Sequence, residues 1–379
     1  MLYFSKLRIT LISLVTLFFI FIATSNFQDP ENSLISKRIN LGLDLQGGSY
    51  LLLEIDNEPV EIQKLQNTTT ILRNYLKDKK INFTDLRIKN KAIFFNIFKK
   101  DHQKVKSFFL DKESEINPYY IQYKSHQFDL IVEQNEFKLT LSKYGLIEIK
   151  TSSQDQAIEI VRRRVDEVGT NEPNILKRGN NRILVELPGL DDPMRVKSLL
   201  GKTANLTFRF VTQNNNDTFG AEILQFEDET NEALVSKRII LSGENLLDAQ
   251  PQMNNQTNET VVSFTLDRVG AKRFGKATTT GVGKQLAIVL DGKIVSAPVI
   301  RDAIISGSGQ ISGNFTFQSA TDLALLLRSG ALPAPLNIIE ERTVGPDLGQ
   351  DSINAGIFAL LIGFLLVIIF MFIKYKIFG

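Results

Sequence analysis

Between Ile353 and Ile373 the chain carries no charged side chain. At a helical rise of about 1.5 Å per residue, that run crosses the ~30 Å hydrocarbon layer of a bilayer. A second apolar run, Ile9 to Ala23, lies near the N-terminus. It is shorter and has two readings. Either it is a cleaved signal peptide with Ala23-Thr24-Ser25 as a weak cleavage site, or it is an uncleaved anchor whose end residues sit in the interface. Lys6 and Arg8 precede the first run, and Lys374 and Lys376 follow the second. Asp29, Glu31, Asp347 and Asp351 lie on the inner sides. The positive-inside rule then places both termini in the cytoplasm and residues 28–352 across the membrane, which in a bacterium is the periplasm. The chain ends soon after the second run, at Gly379, which suggests a truncated protein as readily as a complete two-span one.

Several chemistries are excluded by composition. The net charge of +2 does not suggest a nucleic-acid binder. The absence of cysteine removes disulfides and thiolate metal sites. His102 and His126, the only histidines, have no second ligand at useful spacing and no serine partner for nucleophilic catalysis. With 43% hydrophobic residues a packed core is feasible, and 379 residues leave room for two or three domains.

The stretch Leu41-Gly42-Leu43-Asp44-Leu45-Gln46-Gly47-Gly48 opens the polar body of the chain. Leu41, Leu43 and Leu45 alternate with Gly42, Asp44 and Gln46, the period of a half-buried strand. Gly47-Gly48 marks a bulge or a close approach of another backbone, and the alternation resumes from Ser49 to Ile55. The pattern predicts one bent strand at the root of a domain, with Asp44 and Gln46 in structural hydrogen bonds.

From Gln154 the spacing is helical. Ile158, Val161, Val165 and Val168 share one face, and Gly169 fits the residue past the helix end. Arg162, Arg163 and Arg164 mostly occupy the other face, either as a solvated, dipole-complementing run or as a binding patch. Strands follow at Asn174–Lys177 and Arg182–Leu187, then a helix opened by Pro193, then the strand Ala204–Val211. With the opening strand these make β-α-β-β-α-β, the ferredoxin-like order. Residues 57–150 interrupt it as an inserted α+β lobe. A further lobe begins after Asn214–Asp217 and the acidic stretch Glu227–Glu232. It has a strand at Thr260–Leu266, a helix at Arg268–Thr279, a hairpin turning at Asp291-Gly292, a glycine-serine loop or edge at Gly307–Gly313, and a helix at Thr321–Ser329. Its β-α-β-β-α order repeats that of the base. Leu332 to Leu336 is a stiff exit, and Asn337–Thr343 runs back towards the membrane.

The loop from Thr278 to Gln285 invites a phosphate-loop reading and fails it. Thr278 stands where the first glycine is required, and Gln285 replaces the Ser/Thr magnesium ligand. Asp44, Glu54 and Asp56 need not converge. No catalytic, cofactor-binding or metal-binding residue is expected, which leaves binding or force transmission.

Several blocks resemble the SecD family of protein translocase subunits. They are Leu41 to Gly48, Val161 to Gly169, Val185 to Gly189, Leu286 to Ile300, Leu327 to Leu336 and Gly345-Pro346 to Ile353, in the expected order. The resemblance implies an α+β periplasmic region between two transmembrane helices of the inner membrane. A ferredoxin-like base would use 28–56 and 151–212, and a mobile head 213–335. Residues 1–27 and 353–373 would be the spans, 336–352 the return to the membrane, and 374–379 a cytoplasmic end. It further implies that the head holds an unfolded preprotein, that the proton-motive force drives its movement, and that SecF, the SecYEG channel and YajC are partners. The family's proton-coupling charges lie in later spans, absent from this chain. A head that grips many sequences should offer apolar grooves or open sheet edges. The candidates are Leu286, Ile288 and Val295 near the Gln285–Ala297 edge, and Gly307 and Gly309 in the glycine loop. Two rival readings are a fragment of a resistance-nodulation-division exporter of small molecules, and a bitopic envelope scaffold without energy coupling.

Overall fold

A strand at Gly48–Ile55 sits inside a four-stranded sheet, between Leu336–Val344 and Arg182–Pro188, with Asn174–Arg178 at the far edge. The computed structural model that displays this sheet describes residues 6–25, 47–169, 173–189, 192–212, 220–227, 231–254 and 259–375. Leu41, Gly42, Leu43, Asp44, Leu45 and Gln46 therefore lie outside the described residues, as does the expected linker Asn214–Asp217. Gly47 and Gly48 have φ of 71° and 134°, backbone that a side chain disfavours, where the strand begins. Gly48 pairs with Pro188, and the antiparallel register runs on to Glu54 opposite Arg182. Leu51, Leu53 and Ile55 alternate onto one face. There they bury against Ala157, Val161 and Val165 of the helix Lys143–Val168 and Val196 and Leu200 of the helix Pro193–Gly201.

The final strand of this base differs from the expected one. Leu206–Phe210 does not close the sheet begun by Gly48–Ile55. It pairs antiparallel with Leu286–Leu290 in a separate sheet. Leu336–Val344, expected only as a run back to the membrane, takes the place beside the opening strand and buries Leu336 in the base core. Alternation such as Leu206, Phe208, Phe210 specifies a half-buried strand but does not name its partner.

The long helix starts eleven residues before the expected Gln154, at Lys143. Ser142 caps it, its Oγ accepting from Gly145 N at 2.9 Å and donating to the His126 carbonyl at 2.7 Å. Gly169, with φ 84°, ends it. Its first turns belong to the inserted lobe. That lobe has a four-stranded sheet in the order Phe83–Lys89, Ala92–Ile97, Glu136–Leu141, Phe128–Glu133. The hairpin Phe83–Lys89/Ala92–Ile97 follows the helix Glu58–Asp78, and Phe128–Glu133/Glu136–Leu141 comes after the helix His102–Leu110 and the short pair Tyr119–Tyr120/Ser125–His126. Leu65, Leu72, Phe95, Phe109 and Phe137 form its core.

Among the described residues the head carries two larger sheets and one two-stranded hairpin. Leu206–Phe210 and Leu286–Leu290 are the inner strands of one, flanked by Leu241–Ser242 and Lys293–Ser296. Thr260–Leu266 is the middle strand of the other, between Leu246–Met253 and Ser308–Phe315. The strands of the expected β-α-β-β-α order are divided between these two sheets, Thr260–Leu266 in one and Leu286–Leu290 with Lys293–Ser296 in the other. Phe208, Leu286 and Ile288 from the first sheet meet Val262, Phe264 and Ile311 from the second. The opposite face of the first sheet, with Ala287, Val289 and Ile294, packs with Val235 of the hairpin Ala221–Gln225/Glu232–Ser236.

The terminal segments, Met1–Gly47 and Val344–Gly379, form a separate compact unit from Gly48–Thr343. They hold the helices Lys6–Ser25 and Pro346–Tyr375. Among the described residues one stretch, Asp351–Lys374, is long and apolar enough to cross a membrane. The apolar part of the first helix, Leu7–Phe21, is shorter.

Candidate functional site

The head opens a pocket of about 320 Å³ onto its aromatic core. Phe208, Phe264 and Phe274 form its floor, with ring centroids 5.5, 5.7 and 6.2 Å apart, most of them edge-on. Each ring comes from a different element, so the trio exists only when both sheets and the helix Arg268–Thr280 are docked. Pro298 to Ile304 supplies the rim, where Val299 is 51% exposed.

Of the five residues expected at a binding surface, Leu286, Ile288 and Gly309 line this pocket. Leu286 and Ile288 are not at a free edge, because their strand is internal to its sheet and both side chains are buried. Gly309 lies on Ser308–Phe315, the outer strand of the other sheet. A Cβ there would meet the Phe264 ring at 2.5 Å, so glycine is what lets that ring lie flat against the strand. Val295 belongs to a different cleft, of about 380 Å³, shared with Phe226, Leu290 and Phe315. Gly307 is at neither. At φ 75° it sits where a Cβ would meet that of Ala271 at 2.7 Å, and its carbonyl accepts from Leu266 N. The residues Thr278 to Gln285 form a helix end, with Thr278 Oγ1 donating to the Phe274 carbonyl and accepting from Ile304 N.

The two segments joining head to base meet at one side chain. Arg164 is fully buried, against the expectation of a solvated run. Its Nη1 donates to the carbonyls of Leu199 (2.7 Å) and Lys202. Its Nη2 donates to those of Thr203 (3.3 Å) and Gly330 (3.2 Å). Leu199 lies in the last turn of Pro193–Gly201, where unsatisfied carbonyls favour a cation. Lys202 and Thr203 start the outgoing crossing, and Gly330 starts the return. Leu332 N donates to the Thr203 carbonyl at 2.8 Å, tying the crossings to each other. From the head side, the Asp291 carboxylate accepts from Thr203 Oγ1, from Ala204 N at 3.1 Å and from Asn205 N at 2.7 Å. Desolvation pushes the Arg164 guanidinium down to about 10, and the field of Asp291 opposes the shift. The helix Phe317–Ser329 bridges the two regions. Leu323, Ala324 and Leu327 enter the head core, while Leu325 and Leu326 pack with Leu199 and Ala204 of the base side. Arg195 grips Asp322 through Nε and Nη2, and Arg328 pairs with Glu167.

Sequence reasoning missed Arg164, yet a signal was present. Ala157, Val161, Arg164 and Val168 follow the spacing i, i+4, i+7, i+11, so Arg164 falls inside the apolar stripe while Arg162 and Arg163 do not.

Residues 221–334 match the family described as SecDF, P1 head subdomain. Residues 154–213 match the N-terminal part of the P1 domain of protein translocase subunit SecDF, and 33–58 the SecD/SecF GG motif. The SecD subunits of Rickettsia felis and Rickettsia bellii are 38% and 40% identical to this chain, covering 99% of it and 72% of their own length. A crystal structure of SecDF in a super-membrane-facing form aligns at a TM-score of 0.50 and 26% identity, over 96% of this chain. This chain spans 39% of that longer protein. Matches of this extent and identity make the chain a member of the SecD family of protein translocase subunits.

Proposed function

We propose that the chain works as the preprotein-handling arm of a Sec translocase. Both terminal helices span the inner membrane with the chain ends in the cytoplasm, and the bulk of the chain lies in the periplasm. The base, a βαββαβ unit closed by Leu336–Val344 rather than by Leu206–Phe210, is ferredoxin-like. The motif Leu41–Gly48 and the pair Gly345-Pro346 join it to the two spans. The head, which runs from Leu206 to Ser329 once the strand Leu206–Phe210 is counted with it, holds an unfolded preprotein without catalysis. Its movement, driven by the proton-motive force, draws the preprotein outward. SecF, the SecYEG channel and YajC are its partners.

The observation that carries this reading is the aromatic-floored pocket beside the outer strand Ser308–Phe315, in the region matched as the head subdomain. An apolar pocket next to a strand edge suits segments of varied sequence, because main-chain pairing and apolar burial are both tolerant of side-chain identity. A photo-reactive residue replacing Val299 at the rim is expected to cross-link a stalled preprotein, while the same residue at Ile121 of the inserted lobe is not. Normal export in cells depleted of the protein, or equal cross-linking at both positions, refutes the reading.

A further inference from the structure

The head is covalently joined to the base by two crossings, and both run past Arg164. A loop-and-return connection of this kind leaves the head's orientation to whatever holds the crossings. Hydrophobic contact through Leu325 and Leu326 is non-directional. The rim pairs Arg195–Asp322 and Arg328–Glu167 are partly exposed and screened by solvent. A planar guanidinium is different, because its donors point in fixed directions. Here that fork reaches three carbonyls on the outgoing side and one on the return. Its Nε finds no partner, so the geometry serves the crossings rather than the side chain's own satisfaction.

We infer that Arg164 is the positioning residue for the head: one buried guanidinium on the base helix fixes both crossings and thereby the orientation of the head on the base. Asp291 completes the arrangement from the head side. The segment Lys202–Asn205 gives its carbonyls to the cation and its N–H groups to the carboxylate, so it is held from both regions. The depressed proton affinity of Arg164 agrees with this role. The guanidinium is held by four backbone carbonyls and by no carboxylate, an arrangement suited to selecting one geometry of the crossings over others. Lysine cannot replace it, since an ammonium on a flexible stem is a point charge and lacks the fork needed to span the two crossings.

The absence of cysteine makes the test direct. Spin labels at Asn180→Cys in the base and Val282→Cys in the head, both exposed, report the distance between the regions by double electron–electron resonance on the full chain in lipid nanodiscs. The parent is expected to give one narrow distance. Arg164→Lys should broaden the distribution while thermal unfolding stays close to the parent's, and Arg164→Met should add further populations. Arg328→Ala, a rim change, should leave the distance as it was. A single parental distance in both Arg164 variants overturns the inference, as does broadening by Arg328→Ala equal to that of Arg164→Lys. Should neither Arg164 variant fold, Asp291→Asn tests the same arrangement from the head. It is expected to broaden the distribution to a lesser degree, and an unchanged distance refutes the assignment. The inference about orientation stands on geometry, and its bearing on export rests on the function proposed above. Broadened distances with normal export would support Arg164 as the positioning residue and count against that function.

Discussion

The inserted lobe and the head are both carried by the base, but they are attached in different ways. The lobe shares a continuous helix with it. Lys143–Val168 is capped inside the lobe by Ser142 and reaches the base core with Ala157, Val161 and Val165. Regular helix has no soft joint, so lobe and base turn together. The head is attached by two irregular crossings held by side-chain contacts. One element of this molecule is therefore welded and the other is fastened, and only the fastened one can be re-aimed without unfolding a helix.

The sharpest attempt to break this contrast is Phe208→Ala. It removes one of three interlocked rings from a site 1% exposed and should cost the head ~3–5 kcal/mol. Hydrogen exchange should accelerate across Leu206–Phe210 and Thr260–Leu266 while Lys143–Val168 stays protected. Loss of protection in both at once would show head and base to be a single cooperative unit. Next in size is Gly145→Ala, whose Cβ would meet the backbone oxygen of Gln127 at 2.2 Å. The forced shift should cost ~1–3 kcal/mol. Because the helix is shared, exchange in Phe128–Glu133 and in the helix should rise together, and a rise confined to the lobe would contradict the weld.

Acid sharpens the comparison in a third way. The helix Arg268–Thr280 of the head is capped by Asp267, which accepts from Gly270 N and from the Asn245 side chain, and these bonds hold its carboxyl below the ordinary carboxylate value. A carboxyl depressed on folding stabilises the fold above its unfolded value, and that contribution fades as pH falls through the folded one. The shared helix is capped by the hydroxyl of Ser142, which does not titrate. Acid should thus loosen the head before the base, and Asp267→Asn should flatten the head's pH dependence, as read by exchange between neutral and acid pH. The smallest effect is reserved for Arg328→Ala. Its pair with Glu167 is about one-third exposed on each side and should contribute no more than ~1 kcal/mol to thermal unfolding.

Much of this architecture was legible in the residues because local periodicity determines local structure. Thr260–Leu266 coincides with the expected strand, and Arg182–Pro188 and Arg268–Thr280 each run one residue past the expected end. Their apolar spacing and turn residues are local signals. What failed was partnership. Leu206–Phe210 reads as a strand wherever it sits, and only the three-dimensional return of Leu336–Val344 reveals that the base is closed by residues beyond the head. Leu246–Met253 escaped notice because the phase opposite Asp248, Gln250 and Gln252 carries the small Ala249 and Pro251 before Met253, and a proline argues against a strand, although it is tolerated at the sheet's edge. Leu286 and Ile288 are expected at a sheet edge, and the structure instead puts them on an inner strand, lining the pocket, because alternation does not reveal how many neighbours a strand has. Arg164 was lost to its neighbours, because a run of three arginines invites one shared explanation while a helix points each of them a different way.

The return of Leu336–Val344 has a consequence in time. A ribosome delivers Gly48–Ile55 first and its edge neighbour last, with lobe and head emerging between them. The head can finish its own core while the base still lacks a strand. The base is therefore a frame that shuts around work already done, and its slowest contact is the one farthest apart along the chain.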